Sequence, residues 1–82
     1  MKRHIFGLKP EELKFEIVRV LKKLGFEIRE VEEGLIGVRG SDEVRVRVRD
    51  IGQNPLGIPQ TEAVFECEED IYNRINLSSH QK

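Results

Sequence analysis

The sequence has one cysteine, one methionine and no tryptophan. A single thiol, Cys67, excludes an intrachain disulfide, so the covalent staples of small secreted domains are absent. Cys67, His4 and His80 are scattered along the chain, whereas a zinc site needs three or four ligands brought together. No metal or cofactor is expected. No apolar run approaches the roughly 20 residues of a membrane-spanning helix. Met1-Lys2-Arg3-His4 lacks the apolar stretch of a secretory signal behind it. These absences point to the cytoplasm and away from the membrane.

What the chain has in quantity is charge. Charged residues make up 35% of it, yet the net charge is only −1, so nothing global draws it to nucleic acid or anionic membranes. High charge with little Cys, Met and Trp is a thermophile-like composition. The signs are unevenly placed: residues 1–50 carry 12 Lys/Arg against 10 Asp/Glu, and residues 51–82 carry 2 against 5. The two stretches can attract each other within or between chains. Eighty-two residues make one domain, 1–82, which buries only about 60–65% of the surface exposed on unfolding.

Residues 1–9 form an N-terminal arm whose Ile5, Phe6 and Leu8 suit a short edge strand. A helix over 10–24 is well signalled. Pro10 fits the first helical position, and Glu11 and Glu12 complement the positive helix end. Lys22 and Lys23 complement the negative end, and Gly25 can turn left-handed after Leu24. Leu13, Ile17, Val20, Leu21 and Leu24 fall within a sector of about 100°. Phe15 disagrees, sitting roughly opposite Leu13 among charged residues. Either the arm folds back over it, or it belongs to an oligomer or partner surface, where aromatics anchor contacts.

Residues 26–50 alternate as strands. Phe26 and Ile28 alternate with Glu27 and Arg29, Leu35–Arg39 is a second short strand, and Gly40-Ser41-Asp42 has turn chemistry. In Glu43–Asp50, Val44, Val46 and Val48 take one side and Arg45, Arg47 and Arg49 the other, a strict period of two. Short connections predict an antiparallel meander. Ile51–Pro59 reads as a loop. Gln60–Ile75 fits two periods. As a helix it aligns Ala63, Val64, Cys67, Ile71 and Ile75; as a strand, Thr61, Ala63, Phe65 and Cys67 alternate with Glu62, Val64 and Glu66. The helical stripe is longer, so a helix over 60–75 is favoured, with strand 61–67 followed by helix 69–76 kept open. Residues 77–82 should be a tail. The expected fold is therefore α+β, an αβββα order with both helices on one face of a three-stranded meander.

Besides Phe15, two features could carry function. Arg45, Arg47 and Arg49 recur about 6.6–7 Å apart along one strand side. Arg39 leads into the turn from the neighbouring strand and can join them. Guanidiniums so spaced suit nucleic-acid phosphates or a protein partner; the plain reading is a solvated outer face, with Glu27 and Arg29 supplying cross-strand pairs. Glu62, Glu66 and Glu69 would share one side of the second helix and could meet the arginines of a second copy in a two-fold contact. Chemistry is otherwise unsupported. Adjacent carboxylates such as Glu11-Glu12 or Glu32-Glu33 project apart. Cys67, among glutamates that raise its pKa, has no histidine near in sequence.

The succession of a helix, Leu24-Gly25-Phe26-Glu27-Ile28, a glycine-rich turn with Gly37-Val38, Val44–Arg49, and Pro55-Leu56-Gly57-Ile58-Pro59 before a helix resembles the core of Mrr-type restriction-endonuclease-like nucleases over about residues 10–75. That chemistry takes an acid on the second strand and an acid-x-Lys on the third. Here those stretches read Gly37-Val38-Arg39 and Arg47-Val48-Arg49, and arginines repel a cation. No catalytic residue carries over; the resemblance implies a degenerate copy that kept the fold and a nucleic-acid surface. The expectation is a non-enzymatic interaction module, homodimeric through Phe15, the arginines and the glutamates, with nucleic-acid binding as the alternative.

Overall fold

The computed structural model describes residues 1–75; the expected tail 77–82 lies outside them. The chain runs β1 (Lys2–Phe6), α1 (Pro10–Lys23), β2 (Glu27–Val31), β3 (Gly34–Arg39), β4 (Asp42–Gln53), β5 (Pro59–Glu66) and α2 (Glu69–Ile75). The strands form one antiparallel sheet in the order β1-β5-β4-β3-β2. This corrects the αβββα expectation. Two further strands extend the hairpins β2-β3-β4. The arm enters the sheet as β1 beside β5, and residues 59–66 are strand where a helix was favoured.

Helix α1 begins and ends as its sequence dictates. Glu12 reaches back to accept the Lys9 N–H at 3.0 Å. At the far end Gly25 turns left-handed with φ 91°, and the N–H groups of Gly25 and Phe26 donate to the carbonyls of Lys22 and Leu21 at 3.0 Å each. This double closure satisfies carbonyls left over by the last helical turn. Leu13, Ile17 and Leu21 are buried on the inner stripe, and Val20 and Leu24 pack against that core half-buried.

The sheet sorts its side chains by parity. Val44 and Val46 on β4, Leu35 on β3, Ala63 and Phe65 on β5 and Phe6 on β1 join the buried residues of both helices in one core. Helix α2 contributes Ile71 and Ile75. Thr61, fully buried, donates its hydroxyl to the Leu8 carbonyl at 2.6 Å, tying β5 to the segment that follows β1. At Gly34 an added Cβ would lie 1.9 Å from the Val46 carbonyl oxygen, so close backbone approach leaves room only for glycine.

Strand β5 is a strand because it is half-buried between two partners. Its residues pair with β1 from Lys2↔Phe65 to Phe6↔Thr61 and with β4 from Arg45↔Glu66 to Asp50↔Thr61. Hydrogen bonding on both edges and burial of Thr61, Ala63 and Phe65 on one face outweigh a helical stripe that would have buried no more. Phe15 is 68% exposed, so the arm does not cover it: the arm is committed to β5.

Candidate functional site

The face of the sheet away from the core is densely charged. Alternation along β4 sets Glu43, Arg45, Arg47 and Arg49 outward, each exposed, opposite in parity to Val44 and Val46. The register extends this face across all five strands. Arg3, Val64, Arg47, Gly34 and Val31 make one row; Ile5, Glu62 and Arg49 make the next; Glu66, Arg45, Ile36 and Arg29 make a third. Glu43, Val38 and Glu27 continue it toward the β3–β4 turn. The face thus holds five arginines and four glutamates, with exposed Ile5, Val31 and Val38 among them.

Glu62 is the buried member. Its side chain is 12% exposed and lies between two guanidiniums, with Arg49 Nη2 3.3 Å from Oε1 and Arg3 Nη1 3.5 Å from Oε2. Arg45 Nε lies 3.7 Å from Glu43 Oε2, and Glu66 stands directly across from Arg45. Arg47 differs: its Nη2 lies 3.9 Å from Met1 Sδ, and among the described residues no carboxylate is within ion-pair distance of it. All these guanidiniums are largely in water, so each pair contributes little to stability.

The expected site residues divide four ways. Arg45, Arg47 and Arg49 stand together on the open face. Glu62 and Glu66 join them there, on β5 and within the same chain, rather than lining a helix that meets a second copy. Glu69 is separated from both, in the first turn of α2. Arg39 belongs elsewhere. It pairs with Asp42 across the β3–β4 turn, on the parity of Val44, and so faces the core side. Its Nη1 donates to the Leu24 carbonyl at 2.7 Å, its Nη2 to Asp42 at 3.0 Å, and its guanidinium lies 4.6 Å from the Phe26 ring centre. A cation at the carboxyl end of α1 complements the helix dipole. Phe15, on the outer side of α1, is remote from the open face in the layering, since α1 packs on the sheet's other side. Arg3 was missed. Alternation in the arm is its signal, visible only once β1 is recognised as part of the sheet.

Cys67 follows β5 half-buried, and its thiol pKa is raised chiefly by that burial, with Asp70 and Glu68 adding to the rise. Tyr72, whose ring meets Phe65 edge-on at 5.4 Å and stacks near His4, is likewise raised by burial. Neither is an activated nucleophile. Among the described residues no His, Cys, Asp and Glu cluster could hold a metal ion, and no helix is long and apolar enough to cross a membrane.

A family model described as "Uncharacterised protein" matches residues 17–76. A protein of Archaeoglobus fulgidus, named "Uncharacterized protein", is 49% identical over 75 residues, covering 92% of this chain and 87% of its own. No solved structure matches. The match over most of the chain and this degree of identity establish that the chain belongs to the CHP_AF_0576 family.

Proposed function

We propose that this protein is a non-enzymatic interaction module that works through the open face of its sheet and associates there with a second copy. The observation that carries the reading is the composition of that face: five arginines and four glutamates at interleaved register positions, with exposed Ile5, Val31 and Val38 between them. A near-balanced mixture is self-complementary. In a two-fold contact each copy presents glutamates to the other's arginines, and the apolar side chains between them lose water. A polyanion covering the whole face would meet repulsion from Glu27, Glu43, Glu62 and Glu66.

The size fits a reversible dimer. Five strands about 4.8 Å apart and roughly six residues long at about 3.3 Å each span on the order of 24 by 20 Å. With side-chain relief, this approaches the lower range of specific interfaces, about 600–800 Å² per partner.

Sedimentation across a wide concentration range tests it. The parent should shift from monomer toward dimer at high micromolar concentration, and less so in high salt. Arg45→Glu combined with Val38→Asp should hold the protein monomeric without unfolding it. A parent that stays monomeric at high micromolar concentration, or a variant that dimerises like the parent, would refute the reading.

A further inference from the structure

Charge on the open face is not uniform, and one corner has a surplus. Arg3, Arg47 and Arg49 surround the single carboxylate of Glu62, together with Met1 and Val64, in a shallow depression. Three guanidiniums against one carboxylate leave two positive charges. The rest of the face has no such excess. Arg45 has Glu43 beside it and Glu66 across from it, and Arg29 shares its strand side with Glu27.

We infer that Arg3, Arg47 and Arg49 form a binding site for a phosphoryl dianion, with Glu62 as a positioning residue that holds two of the guanidiniums in place. The geometry supports each part. Each guanidinium offers five N–H donors, and Glu62 engages one nitrogen of Arg3 and one of Arg49 at 3.5 and 3.3 Å. The remaining donors of both face water, since Arg3 and Arg49 side chains are 70% and 71% exposed. Arg47 brings a guanidinium that no carboxylate among the described residues engages. It is two residues from Arg49 on the same strand side, a separation of about 6.6–7 Å, short enough for both forks to reach one tetrahedral anion.

The ligand's charge is set by the surplus. A singly charged carboxylate would neutralise half of it, whereas a phosphoryl dianion neutralises all of it and accepts from all three forks. Sequence patterning pointed to the arginines of one strand as a line. The structure replaces the line with a cluster drawn from β1 and β4, organised by a residue of β5. The inference does not rest on self-association, because the cluster lies within a single chain.

The test is a titration of the full chain, followed by NMR of the arginine Nε–H groups. Pyrophosphate is the first probe, sodium chloride at matched ionic strength the control, and a single-stranded oligothymidylate the second probe. Pyrophosphate should give saturable shifts at Arg3, Arg47 and Arg49. Arg47→Gln should weaken binding about tenfold, as expected for losing one charge-assisted contact. Arg29→Gln, on the same face outside the cluster, should bind like the parent. If pyrophosphate binds and the oligonucleotide does not compete, the site takes a phosphoryl dianion; an oligonucleotide that binds more tightly with the same dependence on Arg47 would mean that singly charged backbone phosphodiesters occupy it, and would overturn the dianion assignment. Shifts reproduced by chloride, or equal losses in Arg29→Gln and Arg47→Gln, would overturn the site.

Discussion

Arg39 shows how one residue's role is decided by parity. Four arginines close together in sequence invite grouping, but an antiparallel turn at Gly40-Ser41 pairs Arg39 with Asp42, and Asp42 shares the parity of Val44 and Val46. Arg39 therefore falls on the core side, and its fork is used on Leu24, Asp42 and Phe26. Counting register from the turn would have found this in the sequence alone. A structural role predicts a structural cost. Arg39→Ala should lower stability by about 1–2 kcal/mol, with the ion-pair share discounted because the side chain is about one-third exposed. Urea unfolding measures it. A loss no larger than the roughly 0.5 kcal/mol scatter of ordinary surface substitutions would mean that the guanidinium does not hold the end of α1.

Among the elements, the helix over 10–24 and the β4 alternation were legible because local signals suffice for them. Pro10, Gly25 and the inner stripe mark α1, and the valine–arginine period marks β4. Strand β5 was legible only as the alternative kept open, a strand over 61–67 before a helix over 69–76, and not as the favoured reading. Ala63, Val64, Cys67, Ile71 and Ile75 satisfy a helical period by coincidence, because the stripe joins residues of a strand to residues of a separate helix. What decides the matter is pairing with β1, some sixty residues earlier in the chain, and no local window contains that information. The break between β5 and α2 places Cys67 and Tyr72 against the core edge, where burial raises both pKa values. The sign of the consequence follows from linkage. A raised acid favours its neutral form in the native state, so its contribution is fully present below the unfolded-state pKa and is lost as pH rises through the folded one. Stability should therefore hold through neutral pH and fall as pH climbs past the ordinary thiol range, about 8.5, and on through that of tyrosine, about 10. Urea midpoints across this range should show a shallower alkaline decline in Cys67→Ala than in the parent; parallel declines would remove the thiol from the account.

At the scale of the whole molecule, the question is what an 82-residue chain needs in order to close its core. A domain this small has little surplus, on the order of 5–10 kcal/mol. Its sheet is completed by the five residues of β1, which cover the outer edge of β5 and insert Phe6 at 1% exposure. Phe6 and Phe15 therefore make a decisive pair, since both are phenylalanines near the amino end, yet one is sealed in the core and the other is 68% exposed on α1. Phe6→Ala should cost about 3–5 kcal/mol, the loss of a buried ring plus the cavity it leaves, and should bring the chain close to unfolding at room temperature. Phe15→Ala should stay within about 0.5 kcal/mol of the parent, because little burial is lost and alanine is the better helix former. Thermal and urea unfolding of the two variants side by side measures the difference. Equal losses would show that Phe15 is covered in solution, which would place a partner or second copy on the outer face of α1 as well. Near-neutral Phe6→Ala would mean that β1 does not close the sheet, and Arg3, which β1 carries to Glu62, would lose its place beside Arg47 and Arg49.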